Sequence, residues 1–266
     1  MVKIIVAGAG GRMGQAILQL AAADPQVKIA GAFEKSDHPS IGRDVGELLG
    51  RRSMRVPIHP DLRECIRHGQ VMIDFTDPTC TYQNLKLASE YGTAMVIGTT
   101  GLTDTVKKAI KSASKKIPIV QSPNMSVGVN LLFKLAQLTA SILDPTYDIE
   151  IVEAHHRHKK DAPSGTALEL VRQIAEARKV LIEDKVIYGR HGETGARPSG
   201  TIGVHALRGG DIVGDHIVSF MTEGEKIEIS HRATSRNAFA KGAIQAAKFL
   251  AKKRPGTYNM QQVLGL

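Results

Sequence analysis

The first fourteen residues restrict the fold more than any other part of the chain. Val2 to Ala7 is a short apolar run that stops at Gly8-Ala9-Gly10-Gly11, as a strand buried on both faces would. From Met13 the apolar positions Ile17, Leu20 and Ala21 recur at helical spacing until Asp24-Pro25, where proline cannot continue the pattern. Val27 to Phe33 then reads as a second strand. Strand, glycine turn, helix and strand fit within about thirty residues, the size of one βαβ unit. The usual dinucleotide fingerprint places glycines first, third and sixth. Here the sixth place is Met13, and Gly8, Gly11 and Gly14 form a Gly-x-x-Gly-x-x-Gly variant with Gly10 added. Small residues still let the backbone approach a pyrophosphate, and the following helix offers it free N–H groups and a positive dipole end. A turn with only a packing role is the bland alternative, against which the flanking strand and helix weigh.

The pattern repeats. Val71 to Phe75 reads as a strand, Pro78 to Tyr91 as a helix stopped by Gly92, and Ala94 to Ile97 as a strand entering Gly98-Thr99-Thr100-Gly101. Thr103 is placed to cap a helix with Val106, Ile110 and Ala113 on one face. Ile117 to Gln121 makes a further strand ending at Ser122-Pro123-Asn124. These loops fall at the carboxyl edge of a doubly wound parallel sheet, where such folds bind ligands. After the second strand stand Glu34 and Lys35. A carboxylate there can accept the ribose hydroxyls of NAD, and an adjacent cation can pair with the 2′-phosphate of NADP, so NADH or NADPH is the expected cofactor. A solvated Lys35 is the competing reading.

Beyond an apolar helix at about Val127 to Leu143, Tyr147 to Ala154 alternates as a strand and runs into His155-His156-Arg157-His158-Lys159-Lys160. Six adjacent side chains that can be cationic repel one another, and a fold that gathers them at a turn suits an anionic ligand. A solvated basic loop is the plain alternative. Asp161-Ala162-Pro163-Ser164-Gly165-Thr166 then opens a helix with Leu168, Val171, Ile174 and Ala175 on one face. Its first-turn N–H groups, the hydroxyls of Ser164 and Thr166, and Lys159 or Lys160 can converge on a carboxylate, while the histidines can exchange protons near neutrality. A metal site is not expected, since His155 and His156 would point to opposite sides of a strand and the cations disfavour a divalent ion.

The remainder reads as antiparallel: Thr201 to Leu207, Ile212 to Met221, then Thr222-Glu223-Gly224-Glu225 turning into Lys226 to His231. Short turns in place of helices suggest an open mixed sheet with a face that another subunit must cover. Asn237 to Ala251 is helical and is expected to return to the first domain. The expected fold class is therefore α/β, a Rossmann-type doubly wound parallel sheet with a second α+β domain on an open mixed sheet. Its expected divisions are a dinucleotide-binding domain over 1–126, a substrate-binding and oligomerisation domain over 127–235, and a returning segment over 236–266. Chain crossings near Ser126 and Arg236 would serve as a hinge.

The 266 residues carry a net charge of +9, which permits nucleic acid or acidic metabolites as partners. Only 4% of residues are aromatic, and neither interleaved stacking aromatics nor a basic recognition helix stands out, so nucleic acid is not expected. Cys65 and Cys80 are the only cysteines, which fits a reducing compartment. No run approaches the roughly 20 apolar residues of a membrane span, and no leader is recognisable. A cytoplasmic protein with no membrane partner is expected.

Taken together, the glycine turn, Gly98-Thr99-Thr100-Gly101, Ser122-Pro123-Asn124 and Glu153-Ala154-His155-His156-Arg157-His158-Lys159 with Asp161 to Thr166 resemble the 4-hydroxy-tetrahydrodipicolinate reductase (dihydrodipicolinate reductase) family over nearly the whole chain. The histidine block is the specific part, because the glycine turn alone suits many dehydrogenases. The resemblance implies NAD(P)H-dependent reduction of a cyclic dicarboxylate in the diaminopimelate and lysine pathway by a homotetramer. It implies His155 as proton donor, Lys159 as a second catalytic cation, and His156, Gly165 and Thr166 as holders of substrate carboxylates. It matches Gly8, Ala9, Gly10, Gly11, Arg12, Met13, Glu34, Gly98, Thr99, Thr100, Ser122, Pro123, Asn124 and Met125 to cofactor contacts. Lys35 stands where the family often has arginine, so phosphate pairing there lacks a bidentate contact. The alternatives are another two-domain NAD(P)-dependent amino-acid dehydrogenase, acting on aspartate- or homoserine-like substrates, and a basic nucleic-acid-binding protein.

Overall fold

The computed structural model describes residues 1–266. They divide into two compact units, Met1–Val127 with Arg236–Leu266, and Gly128–Ser235. In the first unit the chain runs β1 (Val2–Ala7), α1 (Arg12–Ala21), β2 (Val27–Phe33), α2 (Val45–Leu48), β3 (Ile58–His59), two 3-10 turns, β4 (Val71–Asp74), α3 (Pro78–Tyr91), β5 (Ala94–Ile97), α4 (Asp104–Ala113) and β6 (Pro118–Gln121). The second unit holds α5 (Val127–Ile142), β7 (Asp148–His155), α6 (Gly165–Arg178), α7 (Ile182–Lys185), β8 (Val186–Tyr188), β9 (Ile202–Arg208), β10 (Gly214–Thr222) and β11 (Glu225–Ala233). Finally α8 (Asn237–Leu250), β12 (Gly256–Tyr258) and α9 (Met260–Leu264) complete the first unit.

The first sheet has the order β12-β6-β5-β4-β1-β2-β3, and every pair in it is parallel. Its central strands, β4 and β5, are buried at every position, because helices cover both faces. Ile17 and Leu18 of α1 join Ala243, Ile244, Ala247 and Leu250 of α8 against Ile4, Val6, Ile73 and Val96. Leu85 and Ala88 of α3 and Val106 and Ile110 of α4 pack on Ile5, Met72, Met95 and Ile119. The helix signals act locally. The Asp77 carboxylate caps α3 by accepting from Thr79 N and Cys80 N, proline occupies its first turn, and Gly92 ends it at φ 70°. As expected, Thr103 caps α4 through Val106 N.

The second sheet has the order β11-β10-β7-β9-β8. The β10–β11 hairpin is antiparallel as the turn residues indicate. The pairing of β9 differs from expectation: it lies parallel to β7, with β10 on the other side of β7. The reason is that α6 carries the chain over to β8, and residues 189–201 bring it back once more, so that β9 enters between β7 and β8 parallel to both. One face of this sheet is covered by α5 and α6 through Leu132, Phe133, Ala136, Leu170, Val171 and Ile174. On β7 the burial alternates strictly, with Ile149, Ile151, Glu153 and His155 on the covered face and Asp148, Glu150, Val152 and Ala154 on the open one.

Candidate active site

At the carboxyl end of β1, Gly8 adopts φ 66°, a left-handed conformation that glycine takes without cost. A side chain on Gly14 would fall inside the Gly8 carbonyl, so α1 packs directly on the turn that precedes it. Gly10 is equally confined, since a Cβ there would overlap the His38 ring. At the start of α1, the N-cap Gly11 provides no side-chain hydrogen bond and the first turn has no acidic residue. This leaves N–H donors and dipole available to an anion, as a dinucleotide pyrophosphate requires. Arg12 is exposed and Met13 half-buried on that turn.

The neighbouring strand ends bring in the other expected cofactor residues. Glu34, after β2, accepts from Gly10 N through Oε2 at 2.9 Å and from Lys35 N through Oε1 at 2.9 Å. Each oxygen keeps a lone pair for a further donor. Lys35 is well exposed, with its Nζ 4.0 Å from Asp77 Oδ2. Glu34 and Lys35 line a cavity of about 670 Å3 together with Gly8, Arg63, Thr76 and Asn84. Gly98, after β5, leaves room for the Phe75 ring. Thr99 turns its hydroxyl inward, to Thr81 Oγ1 at 2.8 Å and Asp74 Oδ1 at 3.4 Å, while Thr100 is exposed. After β6, Ser122 Oγ donates to Asn124 O at 2.9 Å and Asn124 Oδ1 accepts from Ser126 N at 2.8 Å. Pro123 is exposed, whereas the Met125 side chain belongs to the core and its carbonyl abuts Gly242 of α8. Thr99 and Met125 can therefore meet a ligand only through their backbones.

Sequence reasoning missed Asp74. It is fully buried, and burial pushes its carboxyl up against the lowering effect of Thr76, Asn84 and Thr81. It ties the end of β4 to α3 and β5, and its only signal was a polar residue closing an apolar run.

In the second unit the histidine block is only partly a solvated loop: Arg157, His158 and Lys160 are exposed, whereas His156 and Lys159 are half-buried. His155 is the last residue of β7, only 9% exposed. Its Nδ1 lies 2.6 Å from Glu153 Oε2. Glu153 is 0% exposed, and also accepts from Ser164 N at 3.0 Å and from Arg208 Nη1 and Nη2 at 2.8 and 2.7 Å. Burial works against its ionised form, but Arg208, His155 and Ser164 together hold the carboxyl below its ordinary value. Burial lowers the His155 imidazole, with Glu153 pulling the other way. His216 stands edge-on to His155 with ring centroids 5.2 Å apart, and burial brings it down to about 3. Its Nε2 is 3.1 Å from Ser164 Oγ.

The expected repulsion among cations is relieved within the chain as well. Lys159 Nζ is 2.9 Å from Asp161 Oδ1, and Glu153 serves His155 and Arg208. His156 is half-buried, its backbone N donates to Ile212 O at 2.8 Å, and its buried Nδ1 has no hydrogen-bond partner within the chain. Gly165 and Thr166 open α6, whose N-cap Ser164 accepts from Ala167 N at 3.2 Å. The first turn of α6 has no acidic residue, so it too suits a carboxylate. The structure thus groups His155, His156, Lys159, Gly165 and Thr166 at the junction of β7 and α6. Glu153, Arg208 and His216 are additions to that group. The alternation of Glu153 with His155 was a readable signal, whereas Arg208 lies 55 residues away from Glu153.

The N-terminal family model for dihydrodipicolinate reductase matches residues 2–125, and the C-terminal model for the same enzyme matches residues 128–264. The chain belongs to the dihydrodipicolinate reductase family. A 4-hydroxy-tetrahydrodipicolinate reductase of Anaeromyxobacter dehalogenans is 47% identical over 266 residues, covering 100% of this chain and 98% of the relative. One from Ralstonia nicotianae is 48% identical over 264 residues, covering 99% and 100%. The dipicolinate-bound dihydrodipicolinate reductase of Paenisporosarcina superposes with a TM-score of 0.77 at 25% identity, over 98% of each chain. Family membership makes the chain an oxidoreductase of pyridine nucleotides, in agreement with its glycine turn and parallel sheet. No helix is long and apolar enough to cross a membrane.

Proposed function

We infer that the chain reduces 4-hydroxy-tetrahydrodipicolinate to tetrahydrodipicolinate with NADH or NADPH, in the diaminopimelate route to lysine. The observation that carries this is the family match through both halves of the chain, supported by the grouping of His155, His156 and Lys159 beside the start of α6. When bound, the nicotinamide supplies a hydride. Replacing a hydroxyl by hydrogen also consumes one proton and releases water, so the chain must supply an acid.

The roles are those the family resemblance implies, and the geometry supports them. Gly8, Ala9, Gly10, Gly11, Arg12 and Met13 form the pyrophosphate turn, and the uncapped start of α1 holds its charge. Glu34 would accept ribose hydroxyls with its remaining lone pairs, and Lys35, next to it in the chain, would pair with a 2′-phosphate. Gly98, Thr99, Thr100, Ser122, Pro123, Asn124 and Met125 bound the nicotinamide half, Thr99 and Met125 through backbone groups. His156, Gly165 and Thr166 hold the substrate carboxylates, beside the first turn of α6, which has no acidic residue. Lys159 opposes substrate charge, exchanging Asp161 for it, and His155 gives the proton. Residues 1–126 and 236–266 accordingly carry the dinucleotide, and residues 127–235 the substrate and the subunit contacts.

A homotetramer is proposed from the family resemblance, and subunit association agrees with the face of the second sheet opposite α5 and α6, where Val152 and Ile217 are register partners and both half-buried. A cytoplasmic location agrees with two free cysteines, Cys65 buried and Cys80 half-buried. The deciding experiment follows nicotinamide absorbance with 4-hydroxy-tetrahydrodipicolinate, aspartate semialdehyde and homoserine. Turnover with the first alone is expected. Turnover confined to either of the others would overturn the reading.

A further inference from the structure

We propose that Glu153, clamped by Arg208, is a positioning residue for His155: it fixes the imidazole proton on Nδ1 and leaves Nε2 as the nitrogen that passes a proton to substrate. This rests on the reading of His155 as the proton donor and assigns the means by which it is held ready.

The sheet register places these groups in rows. Glu153 pairs with His216 of β10, and His155 pairs with Arg208 of β9. Asp215 pairs with Ala154, so Gly214 comes opposite His155. Glu153 Oε1 takes Ser164 N and Arg208 Nη2, while Oε2 takes His155 Nδ1 and Arg208 Nη1. With four donors on two oxygens, the carboxylate has no freedom to rotate. An ionised carboxylate only accepts, so the hydrogen at the 2.6 Å contact belongs to Nδ1. On the opposite side of the ring, a Cβ on Gly214 would lie 3.0 Å from Nε2 and 3.4 Å from Cδ2. Glycine therefore keeps that nitrogen clear while Glu153 holds the other.

Packing alone does not call for this arrangement. Ile149 and Ile151 continue the same face of β7 with apolar side chains, and a buried ion pair is seldom more stabilising than apolar residues of similar volume. The charged groups facing His155 are Glu153 on its own strand, Arg208 on β9 and Lys159 in the following loop. His216 on β10 also faces it and is neutral near physiological pH. Glu153 is the one anion among them, and it favours the imidazolium against burial and two cations. In the proton step the His155 Nε2–H bond breaks, its proton goes to the substrate atom made basic by the reaction, and the ring remains neutral with Nδ1–H on Glu153.

The test uses the intact enzyme, with kcat measured against pH and the His155 ring titrated by NMR on isotope-labelled histidine. Its signal is assigned by its loss in His155→Gln. If the protonated ring is the acid, activity falls as pH rises through its midpoint. Glu153→Gln keeps the shape and removes the charge, so midpoint and falling limb are expected to move down together by about one unit, about tenfold in rate on that limb. Arg208→Gln removes an opposing cation and is expected to move both upward, a reversal that general damage to the fold does not produce. KM for NADH is expected to stay unchanged in both. An unmoved midpoint in Glu153→Gln, beside an inactive His155→Gln, overturns this inference alone. Full turnover in His155→Gln overturns the donor role and the inference with it. Should Glu153→Gln not fold, Arg208→Gln decides: an upward midpoint supports the clamp, and an unchanged one overturns it.

Discussion

Replacing Gly14 by alanine tests whether the nucleotide turn is set by contact between α1 and the backbone ahead of it. The added Cβ would lie 2.8 Å from Gly8 C and 2.9 Å from Ala9 Cα, against an ordinary carbon contact of about 3.5 Å. These carbon contacts alone require the start of α1 to move by roughly 0.7 Å, the Gly8 carbonyl oxygen stands closer still and demands more, and no flexible side chain is available to yield. Overpacking against backbone is placed near the upper end of its usual range, about 3 kcal/mol. Alanine returns about 1 kcal/mol through helix propensity, leaving a loss of about 2 kcal/mol. For a unit of this size that is roughly 4–8 °C in thermal midpoint. Displacing the turn also costs at least one charge-assisted hydrogen bond to pyrophosphate, roughly tenfold or more in Kd for NADH. Gly11→Ala is the control, because its Cβ would meet only Gly8 O at 3.3 Å on an exposed residue. Thermal melts and fluorescence titration with NADH measure both. Gly14→Ala with unchanged midpoint and Kd, or Gly11→Ala as unstable as Gly14→Ala, would refute the reasoning.

Lys159→Ala is expected to lose most turnover while binding NADH normally, and unchanged kcat would remove Lys159 from the chemistry. Lys35→Glu is expected to weaken NADPH more than NADH, with parallel losses showing that Lys35 is only a solvated partner of Asp77. Gly214→Ala crowds His155 Nε2 and is expected to lower kcat with little change in thermal midpoint; full activity would show that the nitrogen needs no clearance. Although burial opposes ionisation, Arg190, His205 and Arg197 bring Glu150 down from 4.5 to about 2. A carboxyl depressed by folding contributes stability above its unfolded value and loses it as pH falls through the folded one. Glu150→Gln is thus expected to destabilise the chain at neutral pH, with the difference fading between pH 4.5 and about 2. Urea melts giving the same difference across that range would contradict the pairing.

The first unit was legible because its signals are local. An apolar run of strand length, a glycine stop and a capped helix each decide their own segment, and β1, β2, α3 and β5 fall where the pattern puts them. Three-residue strands such as β8 and β12 carry no such pattern and become strands only because a sheet edge receives them. The place of β9 beside β7 depends on where α6 and then residues 189–201 carry the chain, a tertiary outcome hidden by the short connection to β10. The histidine block likewise revealed its chemistry but not its support. Glu153 stands two residues before His155, whereas Arg208 and His216 reach it through strand pairing across more than fifty residues.

One unit is sewn from two stretches of chain, and this orders events during synthesis. Ala243, Ile244, Ala247 and Leu250 of α8 fill one side of the first sheet, and β12 extends it beyond β6. A nascent chain released as far as Val127 has every loop of the nucleotide turn yet lacks a wall of its core. It stays incomplete until Arg236–Leu266 leaves the ribosome. The intervening unit has its own core and can settle first, so the unit begun before it is completed after it.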